Sequence, residues 1–128
     1  METVAELLEA KPKELFTVGP HLSVAQAIDS MREHHIHSLL VVENRQLLGI
    51  ITDRDFQRKV ASQGLDPAAI AIDQIMTRSV VTVSPQASVQ ECIRLMADNT
   101  FHHLPVCADG ELVGMVSWSD IMELVLQG

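Results

Sequence analysis

The sequence has no tyrosine, one tryptophan and three phenylalanines among 128 residues. A repeated aromatic platform for stacking successive nucleic-acid bases is therefore missing. Basic residues are also scarce: nine Lys and Arg face 17 Asp and Glu, a formal charge of −8. Binding a polyanionic backbone needs a basic footprint, so neither DNA nor RNA is an expected partner. Two cysteines, Cys92 and Cys107, cannot build a disulfide framework or a cysteine-only metal site. The longest apolar runs, such as residues 39–42, are far too short to cross a bilayer. Residues 1–10 are acidic and lack the regions of a secretion signal. The expectation is a soluble cytoplasmic chain with no membrane partner. There is no nucleophile elbow, P-loop or His-Glu-x-x-His, so no enzyme is expected. The 47% of hydrophobic residues supply one compact domain's worth of core.

Self-similarity is the dominant positive feature. Thr17-Val18-Gly19-Pro20 recurs 65 residues later as Thr82-Val83-Ser84-Pro85. The same ungapped offset takes Ser23 to Ser88, Ile28 to Ile93, Met31 to Met96, His37 to His102, Gly49 to Gly114 and Asp55 to Asp120. The chain is two copies of one unit.

Each copy reads as β-α-β-β-α. Thr17-Val18 and residues 80–83 are β-rich and are stopped by Pro20 and Pro85. Ser23 and Ser88 are helix N-caps, with Gln26 and Glu91 completing capping boxes. Val24, Ala27, Ile28 and Met31 form one apolar helical stripe, and Val89, Cys92, Ile93 and Met96 the other. Paired apolar runs follow, 39–42 with 47–51 and 104–107 with 112–116, the second pair joined by an Asp-Gly hairpin step. Being apolar on both parities, they are expected to be covered on both faces. A last helix begins near Asp55 or Asp120 and carries Phe56 and Val60, or Ile121, Leu124 and Val125. The expected division is copy one over residues 5–63, a connector and lead-in over 64–79, and copy two over 80–127. One copy alone, at roughly 60 residues, is marginal. The expected α+β fold therefore packs the two copies about an approximate twofold axis, with sheets between helices.

Two short motifs sit at equivalent places, Thr52-Asp53-Arg54-Asp55 and Ser117-Trp118-Ser119-Asp120. As local structure, Ser/Thr-x-x-Asp before an apolar run is a capping box. As a site, it is a nucleotide clamp: a carboxylate accepts both hydroxyls of a ribose diol, and a helix start with a hydroxyl holds phosphate. Arg54 adds a charge-assisted phosphate contact. One turn can serve both purposes.

Thr-Val-x-Pro, an amphipathic helix, His-His-Leu-Pro-Val and Gly-φ-φ-Ser/Thr-x-x-Asp (φ apolar), in order and in tandem, resemble a pair of cystathionine-β-synthase (CBS) domains. Such a pair is also called a Bateman module. The resemblance covers roughly residues 5–127. It implies a regulatory module that binds an adenosine-containing ligand (AMP, ADP, ATP, NAD or S-adenosylmethionine) in clefts between the copies, requires no cofactor, forms a homodimer and signals to a partner protein. The family's ribose and phosphate contacts map onto Thr52, Arg54 and Asp55 in one cleft and Ser117, Ser119 and Asp120 in the other. Its contacts before the second strand map onto Ile36, His37 and Ser38, and onto Phe101, His102 and His103. A further contact at the start of each copy maps onto Arg78. In copy one the usual Met-Thr is replaced by residues 8–13, and only the 65-residue offset aligns Lys13 with Arg78. Arg54 makes the Asp55 cleft the better one for a phosphate-bearing ligand.

Other readings compete. His34, His35, His37, His102 and His103 invite a metal site, but no acid or thiolate lies at a recognisable ligand spacing, and His34 and His35 suit a helix C-terminus. A ligand-free dimerising adaptor uses the repeat as scaffold alone. Helices ending at Phe56–Val60 and Ile121–Leu126 have the composition of a helical interface, and Trp118 can serve either packing and dimer contact or a ligand. Cys92 and Cys107 read as small buried hydrophobes rather than redox switches.

Overall fold

A computed structural model describes residues 3–11 and 14–127, and Lys13 lies outside them. In chain order the helices are α1 (Val4–Ala10), α2 (Val24–His34), α3 (Asp53–Lys59), α4 (Val89–Asn99) and α5 (Trp118–Gln127). The strands are β1 (Thr17–Val18), β2 (Ser38–Glu43), β3 (Gln46–Thr52), β4 (His103–Ala108) and β5 (Glu111–Ser117). The fold is mixed α+β. None of the described helices is long and apolar enough to cross a membrane.

The chain forms two compact units: residues 16–80, and residues 1–15 together with 81–128. In the first, β1 runs parallel to β2, and β2 and β3 form an antiparallel hairpin. Its two-residue turn, Asn44-Arg45, has positive φ at both positions, the conformation whose twist matches a hairpin. The core is Val24, Ala27 and Met31 of α2, Leu39, Val41 and Ile51 of the hairpin, and Val60, Ile72, Ile75 and Met76. The 3-10 turn Ile72–Gln74, inside the segment expected to lead into copy two, thus packs on copy one.

The second unit repeats the plan. The hairpin β4–β5 turns through Asp109-Gly110, again with positive φ at both positions. Val89, Cys92 and Met96 of α4 pack with Leu104, Val106, Val116 and Ile121, and α1 contributes Val4 and Leu7. Helices α2 and α4 both end on a left-handed residue, His35 and Thr100, one repeat apart.

Four local expectations change. Residues 80–83 do not form a strand; only Val83 bridges, to Val106. The reason is Pro105. In copy one Leu40 N–H donates to Phe16 O (3.3 Å), whereas Pro105 at Leu40's place has no N–H to offer Val81. The last helices start at Asp53 and Trp118, two residues before the expected Asp55 and Asp120. The reciprocal box forms at Ser23 with Gln26, but at α4 the described bond is Glu91 N–H to Ser88 Oγ (3.0 Å), and Ser88 bridges to Thr3 instead. Val125 is exposed while Ile121 is buried, because only one face of α5 meets the core.

Candidate functional site

The open end of each hairpin gathers the residues singled out by sequence. In the unit of residues 16–80, Ser38 pairs with Thr52 across the ladder, and Asp53 N–H donates to His37 O (3.0 Å). In the other unit His103 pairs with Ser117, and Trp118 N–H donates to His102 O (2.8 Å). Thus residues 36–38 meet 52–55, and 101–103 meet 117–120. The cause is chain geometry: a hairpin returns its last residue beside its first, and a helix starting there must cap on the spot.

Both halves of the capping box form at Thr52. Its Oγ1 accepts from Asp55 N–H (3.0 Å), and Asp55 Oδ2 accepts from Thr52 N–H (3.0 Å) and Thr52 Oγ1 (3.1 Å). The second oxygen is occupied as well: Asp55 Oδ1 accepts from Thr77 Oγ1 (3.0 Å) and pairs with Lys59 Nζ (3.1 Å). Lys59 Nζ also donates to Ile75 O (2.7 Å). Asp55 is 7% exposed. A carboxylate offers about four lone-pair positions, and all four are in use. The local capping reading is therefore realised in full, and a ribose diol can reach Asp55 only by displacing Thr77 or Lys59.

Thr77 and Lys59 were not among the expected site residues. Lys59 had a signal, its i, i+4 spacing from Asp55. Thr77 had none, since it stands 22 residues from Asp55 and belongs by sequence to the start of copy two. Arg78 follows Thr77 on the same unit as Asp55, and its Nη2 donates to Asp73 O (3.0 Å). Arg54 is exposed on α3.

In the other unit Ser117 is 2% exposed. Its Oγ accepts from Asp120 N–H (3.2 Å) and lies 3.0 Å from Ser119 Oγ. Leu124 stands where copy one has Lys59. The units differ in charge too. Residues 16–80 carry seven acids and six bases, a formal −1, and the remainder carries ten and three, a formal −7.

Each unit holds one concavity at the same repeat position. Copy one has a cavity of about 930 Å³ between the end of α2 and the start of α3, where Ile36, His37, Asp53 and Phe56 line it. Copy two has one of about 290 Å³ lined by Phe101, His102 and Trp118. His37 Nδ1 lies 3.0 Å from Asp53 Oδ2 at the rim of the larger. Among the sequence-selected residues, only Ile36, His37, Phe101 and His102 line these cavities. Ser38, Thr52, Arg54, Asp55, Arg78, His103, Ser117, Ser119 and Asp120 do not.

Among the described residues no three His, Cys, Asp or Glu side chains converge as a metal site. His34 instead stacks on Phe16, with ring centroids 4.3 Å apart. Cys92 and Cys107 are unpaired. Burial pushes both thiols up, and the neighbouring Glu91 charge adds to the effect at Cys92. Neither has the depressed pKa of a reactive thiolate.

A family model described as CBS domain matches residues 4–62 and 72–127. The chain is 38% identical over 109 residues to the mitochondrial CBS domain-containing protein CBSX3 of Arabidopsis thaliana. That match covers 81% of the chain and 53% of the plant protein, so the chain spans about half its length. Among solved structures, a Burkholderia ambifaria protein with CBS domains, assigned to signal transduction, superposes with a TM-score of 0.82 at 39% identity. The match covers 98% of this chain and 94% of that one. The structure of Hypoxic Response Protein I with two coordinated zinc ions gives 0.83 at 30% identity, covering 97% and 99%.

Proposed function

The chain belongs to the CBS-domain family, and from that premise we propose that it is a non-enzymatic regulatory module that senses an adenosine-containing ligand. The ligand class is AMP, ADP, ATP, NAD or S-adenosylmethionine, and occupancy is passed to a separate protein. The reading includes a homodimer working in the cytoplasm, where its two unpaired thiols stay reduced. The observation that carries it is the duplicated convergence of Ser/Thr-x-x-Asp with residues 36–38 and 101–103 at the hairpin ends.

Phosphate favours the copy-one site. Six of the nine basic residues lie on that unit, Arg54 among them, and the acidic balance of the other repels an anion. The signal follows from the acceptor count at Asp55. A diol that takes lone pairs from Thr77 and Lys59 loosens residues 75–77 from α3, and it shifts that equilibrium only by its differential affinity for the two states. Zinc in a structural neighbour raises a metal alternative. The lack of a three-ligand cluster among the described residues makes the nucleotide the stronger reading.

Thermal unfolding of nucleotide-free protein with each ligand of this class, with GTP and Zn²⁺ as controls, tests the proposal. A cognate ligand at 100 times its Kd is expected to add about 2.7 kcal/mol, several degrees in Tm. Arg54→Ala, an exposed change, is expected to weaken phosphate-bearing ligands about tenfold and leave adenosine itself unaffected. No shift with any nucleotide replaces the sensor by the ligand-free adaptor. A shift with Zn²⁺ alone replaces it by a metal module.

A further inference from the structure

The two concavities are equivalent in sequence and opposite in form. Their shared positions are 31 and 96, 36 and 101, 37 and 102, and 53 and 118, each 65 residues apart. In copy one the place is an open hollow with an apolar floor of Ile28, Met31, Ile36 and Phe56. In copy two Phe101 replaces Ile36 and Trp118 replaces Asp53, leaving less than a third of the volume. The aromatic pair is not hidden, since each ring is 37% exposed. Trp118 continues along α5 into Met122 and Val125, at i, i+4 and i+7, and these are 39% and 59% exposed. One unit thus shows a hollow, and the other an apolar ridge at the same place.

Charge reverses with shape. Asp29 on the rim of the hollow corresponds to Arg94 on α4, and Arg58 of α3 corresponds to Glu123 of α5, which also pairs with Lys11. The hollow belongs to the unit of charge −1 and the ridge to the unit of charge −7. Ridge against ridge brings two strongly acidic units together and leaves two hollows unfilled. Ridge against hollow separates the acidic units and buries the aromatic rings.

We propose that the hollow of one chain receives the Phe101–Trp118–Met122 ridge of a second copy of the same chain, so that unlike units meet in the homodimer. The inference rests on the homodimer part of the functional reading and is independent of the nucleotide. Filling a hollow with Trp and Phe at its centre, with charged residues at its rim, is how stable interfaces distribute apolar and polar groups.

The test is sedimentation of the full chain and of two variants, Trp118→Asp on the ridge and Phe56→Asp in the hollow. Each variant alone is expected to lose at least tenfold in self-association. An equimolar mixture is expected to dimerise more tightly than either, because one unmodified ridge then faces one unmodified hollow. Were like units to meet, each variant would keep one untouched contact with itself and the mixture would have none. A mixture weaker than either variant, or a variant dimer as tight as wild type, therefore overturns the proposal and leaves the homodimer standing. A wild-type chain that stays monomeric overturns both. The fully exposed Asp29→Arg serves as the hollow variant if Phe56→Asp fails to fold. Trp118, the sole tryptophan, gives a second readout: its emission is expected to shift to the red on dilution, at higher concentration in Asp29→Arg than in wild type. A concentration-independent emission maximum contradicts burial by a partner.

Discussion

Alanine at Gly49 is expected to lower folding stability by about 3 kcal/mol, while alanine at the repeat-equivalent Gly114 costs less than about 1 kcal/mol. Both glycines sit at the same hairpin position, opposite Val41 and Val106 beside a bulge. A Cβ on Gly49 would lie 2.6 Å from Thr77 O and 3.0 Å from Met76 Sδ. That carbonyl cannot retreat cheaply. It accepts from Ile50 N–H (2.9 Å), and Thr77 N–H donates back to Ile50 O (2.8 Å). A Cβ on Gly114 would instead meet the tip of Leu8, with Cδ1 at 2.7 Å and Cδ2 at 2.9 Å. A leucine tip can turn, and the reduced freedom of the unfolded chain offsets part of the crowding. Urea midpoints of the two variants check the contrast. Equal losses would mean that residues 76 and 77 yield as readily as a side chain.

Removing the Asp55 carboxylate is the second large effect. Asp55→Ala is expected to cost about 3 kcal/mol. It deletes half of a capping box, worth about 1 kcal/mol, and leaves Thr52 and Thr77 without their charged acceptor. Lys59, with 44% of its side chain exposed, recovers much of its loss from water. The seven-residue α3 has little stability of its own to absorb the change. Thr77→Val separates the structural role from the ligand role. It is expected to cost about 1 kcal/mol in stability yet tighten the cognate nucleotide about tenfold, because one Asp55 lone pair no longer has to be vacated. Calorimetric titration of the folded variant decides. Unchanged or weaker affinity would show that the ligand does not compete with Thr77.

Much of the fold was legible because the signals were local. The Ser23 cap, the 3.6-residue stripes of α2 and α4, and the Asp109-Gly110 turn each depend on residues within one or two turns of chain. The 65-residue offset let the clearer copy explain the other. Legibility failed where a partner came from far along the chain. A β-rich string at 80–83 cannot reveal that Pro105, more than 20 residues on, withholds the hydrogen bond a strand would need. Val125 has the apolar character of a core residue, but only the packing of α5 decides which face is covered.

The candidate site divides the same way. The sequence by itself determined the duplication, the α+β order of elements, and the Ser/Thr-x-x-Asp turns with their capping geometry, all written in short-range spacing. Tertiary structure alone decided that Thr77 and Lys59 fill the remaining acceptor positions of Asp55, and that residues 64–80 and 1–15 join units other than those their sequence neighbours indicate. It also made one of two equivalent concavities a hollow and the other a ridge. The physical reason is common to all three. Repeat symmetry fixes where equivalent residues stand, but the side chains brought against them from distant segments set which lone pairs are occupied and which volumes are filled.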